Sequence, residues 1–219
     1  MKELIKKLEK ELSCSAHDID HTMRVYNLCL ELAKNEKVNM DVLQASALLH
    51  DIARIKEDND VSGKTDHAVE GAKMALNLLG PWGLSEAKIK AIQHCIKTHR
   101  FRTSNKPKSI EAKILFDADK LDALGAIGIA RSYVWVGKIN AKLYTDVDLK
   151  KYIKENLSGS PTGRIKDKRK HSPQIEYETK HKFLAGKLYT KQGKKIAKER
   201  TKFYKDFLER LQKEINGKL

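Results

Sequence analysis

The 219-residue sequence contains no run of about 18 apolar residues, so no segment reads as a membrane-spanning helix. Aromatic residues are scarce, at 6% of the chain against 40% hydrophobic residues overall. A β-sandwich would draw more on aromatic and β-branched side chains. The composition therefore points to a helix-rich globular protein, one large domain or one domain with an appendage. Cysteine is limited to Cys14, Cys29 and Cys95, an odd number without metal-site spacing. Reduced thiols in a cytoplasmic protein are expected, rather than a disulfide framework or a cysteine-bound zinc. The opening MKELIKKLEKEL alternates charge with leucine and lacks the apolar stretch of a signal peptide, which agrees with that location.

Acidic charge is short in one region only. The formal net charge is +15, and residues 137–219 hold 23 Lys and Arg against 10 Asp and Glu. The preceding residues 1–136 are nearly balanced, 21 against 19. A lysine-rich helical face is commonly just solvated, and the aromatic interleaving of a single-strand binder is sparse here. Nucleic acid is not expected as the main ligand.

Apolar periodicity predicts helix nearly throughout, and no β-alternation or internal repeat is present. Helices are predicted over 2–13, 18–35, 41–54, 65–79, 85–99, 109–136, 175–188 and 191–215. Asp41 and Ser109 are the expected caps of two of them, Ser85-Glu86 starts another, and Gly80-Pro81 is a stop. KEDNDVSGK (56–64) reads as a polar loop, and GSPTGRIKDKRKHSPQ (159–174) as a mobile one. The expected fold is all-α: a single domain over 1–219, with a core of about 17–136 and a helical C-terminal extension over 137–219.

Against this plain background, SALLHDIAR (46–54) places His50 and Asp51 together at the end of an apolar run. Another pair, His17-Asp18, precedes His21. Helices 18–35 and 41–54 share a short connection and should run antiparallel. His21 then lies roughly 21 Å before the turn and His50 roughly 14 Å after it, both toward the remote end of the hairpin. Two histidines and a carboxylate from separate helices suit a divalent metal with open positions. A fourth ligand is expected in ILFDADKLDALGAIGIAR (114–131), where Asp117, Asp119 and Asp122 crowd an apolar helix. Buried carboxylates need a counter-charge, which a metal, Lys120 or Arg131 could each supply. Periodicity does not choose among the three aspartates.

HDIDHTMRV, ALLHDIAR and DADKLDALGAIGIAR, in that order, resemble the signature of the HD-domain metal-dependent phosphohydrolases. More narrowly they resemble the subgroup that includes nucleoside-triphosphate pyrophosphohydrolases, and LYTKQGKKIAKER (188–200) extends the likeness more weakly. The resemblance implies an HD-type helical bundle and assigns the metal to His21, His50, Asp51 and Asp119. Asp18 then reads as a helix cap and His17 as an edge residue. A divalent ion in such a site supplies hydroxide near neutral pH and polarises a phosphoryl oxygen. Mn²⁺ suits the mixed ligands best, with Mg²⁺, Co²⁺, Ni²⁺, Zn²⁺ and Fe²⁺ as alternatives.

Positive charge for a phosphorylated substrate is expected from Arg24, Lys97, His99 and Lys120, with Arg100 and Arg102 nearby. Arg24 has an alternative reading as a brace for Asp51. Glu70, one turn after His67, is a candidate proton-transfer group beside a catalytic Asp51. His67, His94 and His99 resemble positions that hold a second metal in binuclear relatives. The HHE and GYP signatures of those relatives are missing, so a second metal is not expected.

The resemblance implies a hydrolase that cleaves a nucleoside or deoxynucleoside triphosphate to monophosphate and pyrophosphate. A phosphodiesterase or 5′-nucleotidase on the same ligands is the runner-up, and a basic binding module without turnover is the alternative of another class. The N-terminal helix with Trp82 or Trp135 offers a homodimer interface.

Overall fold

A computed structural model describes residues 19–80, 83–101 and 105–218. The predicted helix over 2–13, together with Cys14, His17, Asp18, Trp82 and Arg102, lies outside the described residues. Every regular element described is helical, in agreement with the all-α reading, and none is long and apolar enough to cross a membrane. The chain divides into two compact units, Met1–Asp119 and Lys120–Leu219.

The first unit holds α1 (Ile19–Ala33), α2 (Met40–Leu49), α3 (Arg54–Asn59), α4 (His67–Leu79), α5 (Glu86–Thr98) and most of α6 (Ile110–Leu121). Its core is aliphatic. Val25, Cys29 and Leu32 of α1 are buried along with Leu43, Leu48 and Leu49 of α2, Ile92 and Ile96 of α5, and Ile114 and Leu115 of α6. The α4 face is built of Ala68, Gly71, Ala72 and Ala75, small residues that let α5 pack closely against it.

Polar side chains set the ends of these helices. Asn39, rather than the expected Asp41, caps α2 by accepting from the Val42 amide. Asp66 caps α4 through the Ala68 amide at 2.9 Å, and Ser109 caps α6 through the Ala112 amide at 3.2 Å. Asn39 also donates its own amide to Glu111 at 2.8 Å, tying the start of α2 to the first turn of α6.

Three predicted helices are broken, and the one expected over 175–188 is α-helical only to Thr179 before a 3₁₀ segment at His181–Lys187. The helix expected over 41–54 ends at Leu49, and residues 50–53 turn before α3, which starts at Arg54 and runs into the expected polar loop. The His50 ring donates back to the Ala47 carbonyl at 2.8 Å, at the point where the helix stops. The helix expected over 109–136 stops at Leu121 and resumes as α7 (Gly125–Lys138). Gly125 takes φ +70°, a left-handed conformation that a helix cannot carry through.

The second unit also contains α8 (Leu149–Asn156), α9 (Pro173–Thr179), 3₁₀ segments at Lys168–Lys170 and His181–Lys187, and the 25-residue α10 (Lys191–Ile215). Ile129, Tyr177, Tyr204 and Leu208 form one core cluster, with Tyr177 and Tyr204 stacked at 5.4 Å. Tyr152, Leu157 and Ile175 form another. Segment 159–174 has few apolar anchors but several polar ones. Asn156 brackets Asp167, accepting from its amide at 2.8 Å and donating to its carbonyl at 3.0 Å. His171 is buried between the Tyr152 hydroxyl at 2.8 Å and Glu176 at 2.9 Å. Its ring also meets Trp135 edge-on at 5.8 Å. Along α10, Lys202–Asp206, Lys205–Glu209 and Arg210–Glu214 pair at i,i+4 spacing, as expected of a solvated face.

Candidate metal centre

Three of the histidines in the first unit stand at helix ends, where a side chain can turn away from the helix axis. His50 follows the last residue of α2, His67 is the first residue of α4, and His99 follows the last residue of α5. Asp51 lies in the turn after His50, and His21 and Asp119 project from α1 and α6. All but Asp119 are almost wholly buried; Asp119 is 20% exposed.

The two oxygens of Asp51 divide these residues into two groups. Oδ2 lies 3.8 Å from Nε2 of both His21 and His50, and those two nitrogens are 3.3 Å apart. Asp119 Oδ1 stands 3.5 Å from His21 Nε2. Oδ1 of Asp51 lies 3.3 Å from His67 Nε2 and 3.5 Å from His99 Nε2, which are 3.2 Å from each other. Each group brings at least three donor atoms within 4.8 Å of one another.

Hydrogen bonding fixes the ring tautomers. The Ala47 carbonyl takes the His50 Nδ1 proton at 2.8 Å, and the Ile96 carbonyl takes that of His99 at 2.6 Å. A carbonyl can only accept, so Nδ1 carries the proton in both rings and Nε2 presents its lone pair. Glu57 plays the same part for His67, at 2.6 Å from Nδ1. Metal-binding histidines are oriented in this way, with the outer nitrogen donating to a carbonyl or carboxylate.

The electrostatics agree. Burial drives the His50 pKa from 6.5 to about 4 against the pull of Asp51, so the ring is neutral at pH 7 and its lone pair is free for a cation. Burial also lowers the pKa of His67. Burial alone would raise Glu57. The hydrogen bond from His67, with the charges of Arg54 and Arg100, instead brings it from 4.5 to about 2. A buried donor set of imidazoles and carboxylates, with His50 neutral, fits a divalent first-row ion.

His21, His50 and Asp51 thus come together, and Asp119 reaches the group through His21. Its neighbours are placed differently: Asp117 is fully buried, and in the second unit Asp122 pairs with Arg131. Arg24 is half-buried on α1, Lys97 is exposed near the end of α5, and Lys120 is buried. Glu70 is engaged elsewhere, taking Lys56 at 3.3 Å and Lys73 at 3.4 Å, and these bonds lower its pKa. His94 accepts from the Lys108 amide at 3.1 Å and so holds a loop.

The missing HHE and GYP signatures did not keep His67 and His99 apart. The structure gathers them on Asp51, so signature absence is no ground for excluding a second cation position. Glu57 was not foreseen at all, because KEDNDVSGK offers no periodic signal; it joins His67, Arg54 at 2.7 Å and Arg100 at 2.7 Å.

Residues 18–124 match the HD domain family. YpgQ, an uncharacterized protein of Bacillus subtilis, is 27% identical over 207 residues, spanning 93% of this chain and 86% of that one. The crystal structure of an HD-superfamily hydrolase from Bacillus thuringiensis is similar at a TM-score of 0.70 and 28% identity, over 98% of this chain and 96% of that one. The crystal structure of Bacillus subtilis YpgQ in complex with ADP gives a TM-score of 0.72 over 100% of this chain and 99% of that one. At its 23% aligned identity this last likeness concerns the fold.

Proposed function

We propose that the chain, whose residues 18–124 match the HD domain family, is a metal-dependent phosphohydrolase that hydrolyses a nucleoside or deoxynucleoside triphosphate to monophosphate and pyrophosphate. The carrying observation is the convergence of His21 and His50 Nε2 with Asp51 Oδ2, at 3.3–3.8 Å, in a buried site. These three residues and Asp119 would hold one divalent ion, with Mn²⁺ favoured by the mixed nitrogen and oxygen donors. When bound, such an ion activates water near neutral pH and polarises a phosphoryl oxygen.

The chain's own residues supply position and charge. The Ala47 carbonyl holds the His50 ring, and Asp51 stands between both histidine pairs with its carboxylate shared. Arg24, three residues beyond His21 on the same face of α1, is assigned to the phosphates, with Lys97, His99 and Lys120. Negative charge that builds up on the transferring group needs fixed cations, here the arginine and the two lysines. A nucleotide is favoured as substrate because a protein of the same fold binds ADP in its crystal structure. The buried free thiols of Cys29 and Cys95 suit a cytoplasmic setting.

The test is product identification. Protein loaded with Mn²⁺ is incubated with nucleoside triphosphates, nucleoside monophosphates and cyclic nucleotides. Pyrophosphate with a monophosphate is the expected outcome. Orthophosphate, or an opened cyclic nucleotide, would move the assignment to a nucleotidase or phosphodiesterase. No turnover despite bound metal would sink the enzyme reading.

A further inference from the structure

We propose that Arg54 fills the cation position of the second histidine group from within the chain, so that the protein holds one divalent ion rather than two. The inference rests on the metal reading above and sharpens it.

Three lone pairs converge in this second group. Asp51 Oδ1, His67 Nε2 and His99 Nε2 lie 3.2–3.5 Å from one another, with both imidazole Nδ1 protons committed to Glu57 and the Ile96 carbonyl. The three side chains are each about 2% exposed. Lone pairs gathered in a buried site are stabilised by a positive charge among them.

Arg54 brings that charge. Its Nη2 is 3.2 Å from His67 Nε2 and 3.6 Å from Asp51 Oδ1, two of the three donor atoms. The N–H directed at His67 uses the lone pair that a metal would need, so the two occupants exclude each other. The guanidinium is also anchored. Nη1 donates to Glu57 Oε2 at 2.7 Å, the same oxygen that takes the His67 ring proton at 2.6 Å. Arg100 braces Glu57 from its other oxygen at 2.7 Å and reaches Asp66 at 3.2 Å.

A guanidinium stays charged at any accessible pH and does not leave by losing a proton. Asp51 would therefore offer Oδ2 to the ion while Arg54 stands beside Oδ1. Arg54 is a positioning residue here: it sets how many ions the site accepts and holds Asp51 from behind.

The test counts metal. Apo-protein is titrated with Mn²⁺ and the bound ions are counted by calorimetry and elemental analysis, for wild type, R54K and R54Q. Electron paramagnetic resonance then separates isolated Mn²⁺ from an exchange-coupled pair. One ion per chain is expected in wild type and R54K, and two ions with a coupled signal in R54Q. R54M, which removes the charge but keeps bulk, gives the same reading if R54Q does not fold. Two ions in wild type, or one in a folded R54Q or R54M, would overturn this proposal and leave the metal reading standing. No ion in any of the proteins would overturn both.

Discussion

His21 Nε2 and His50 Nε2 face each other at 3.3 Å inside the first unit, though the residues stand 29 positions apart and neither ring is more than 1% exposed. With the His50 proton held on Nδ1 by Ala47, His50 Nε2 turns its lone pair toward His21 Nε2 and Asp51 Oδ2, a donor set that only the folded chain assembles for the proposed ion. Binding of Mn²⁺ should therefore stabilise the fold. A ligand at a hundred times its dissociation constant adds about 2.7 kcal/mol, and each kcal/mol moves the midpoint of a domain this size about 2–4 °C. A rise of roughly 5–10 °C in thermal midpoint is expected on saturation, reversed by chelator. A midpoint indifferent to metal would count against the site.

The fourth ligand is testable by a change of one atom. Asp119 Oδ1 stands 3.5 Å from His21 Nε2, and the side chain keeps 20% exposure. D119N should retain its helix content by circular dichroism while binding Mn²⁺ at least about tenfold more weakly, the scale seen when ligand surroundings are altered. Unchanged affinity would send the search to Asp117 or Asp122.

What the sequence made legible followed from periodicity and short motifs. Val25, Cys29 and Leu32 recur at helical spacing and are buried on one face of α1, and His50-Asp51 stands out because apolar neighbours surround it. The breaks at residues 50–53 and 122–124 were hidden because apolar spacing runs through both, and only local geometry ends the helices. In the first break a histidine ring bonds the helix's own carbonyl, and in the second Gly125 turns left-handed. Helix α8 was missed because lysines crowd it, although Asp148 capping the Lys150 and Lys151 amides ahead of Tyr152 was a readable start. Arg54, Glu57 and His67 form one network across a stretch that looks like loop, and no pairwise spacing reveals it.

Two glycines of α7 should differ in their tolerance of alanine. A Cβ on Gly125 would meet the Arg200 side chain at 3.0–3.3 Å and must accept φ +70°. A left-handed alanine costs about 1–2 kcal/mol, while the arginine stem can yield. At Gly128 the same atom would fall 2.3 Å from the Ala123 carbonyl oxygen, so the backbone itself must move. G128A should lose more stability than G125A in urea unfolding. The reverse order would show that the turn between α6 and α7 is not as tight as it stands here.

Acid should destabilise the second unit through His181. This ring is 4% exposed and packs edge-on against Tyr204 at 5.4 Å. Its Nδ1 is buried without a hydrogen-bond partner. Glu176 lies 3.7 Å from Nε2 but is already taken by Lys180 at 2.7 Å and His171 at 2.9 Å. Burial therefore prevails over the attraction of Glu176, and the pKa falls from 6.5 to about 4. The unfolded chain takes up this proton as pH drops below 6.5, whereas the folded chain waits until about 4. Stability is complete above 6.5 and is lost as pH falls through that window. The full displacement corresponds to at most about 3 kcal/mol, at 1.36 kcal/mol for each pK unit. H181Q keeps much of the ring's volume and cannot take the proton, so its denaturation free energy should fall less steeply between those two pH values. The slope difference from wild type, measured by urea unfolding in chelator to exclude the metal-site histidines' ligand, isolates this residue. Parallel pH profiles for the two proteins would show that His181 is protonated alike in the folded and unfolded chains.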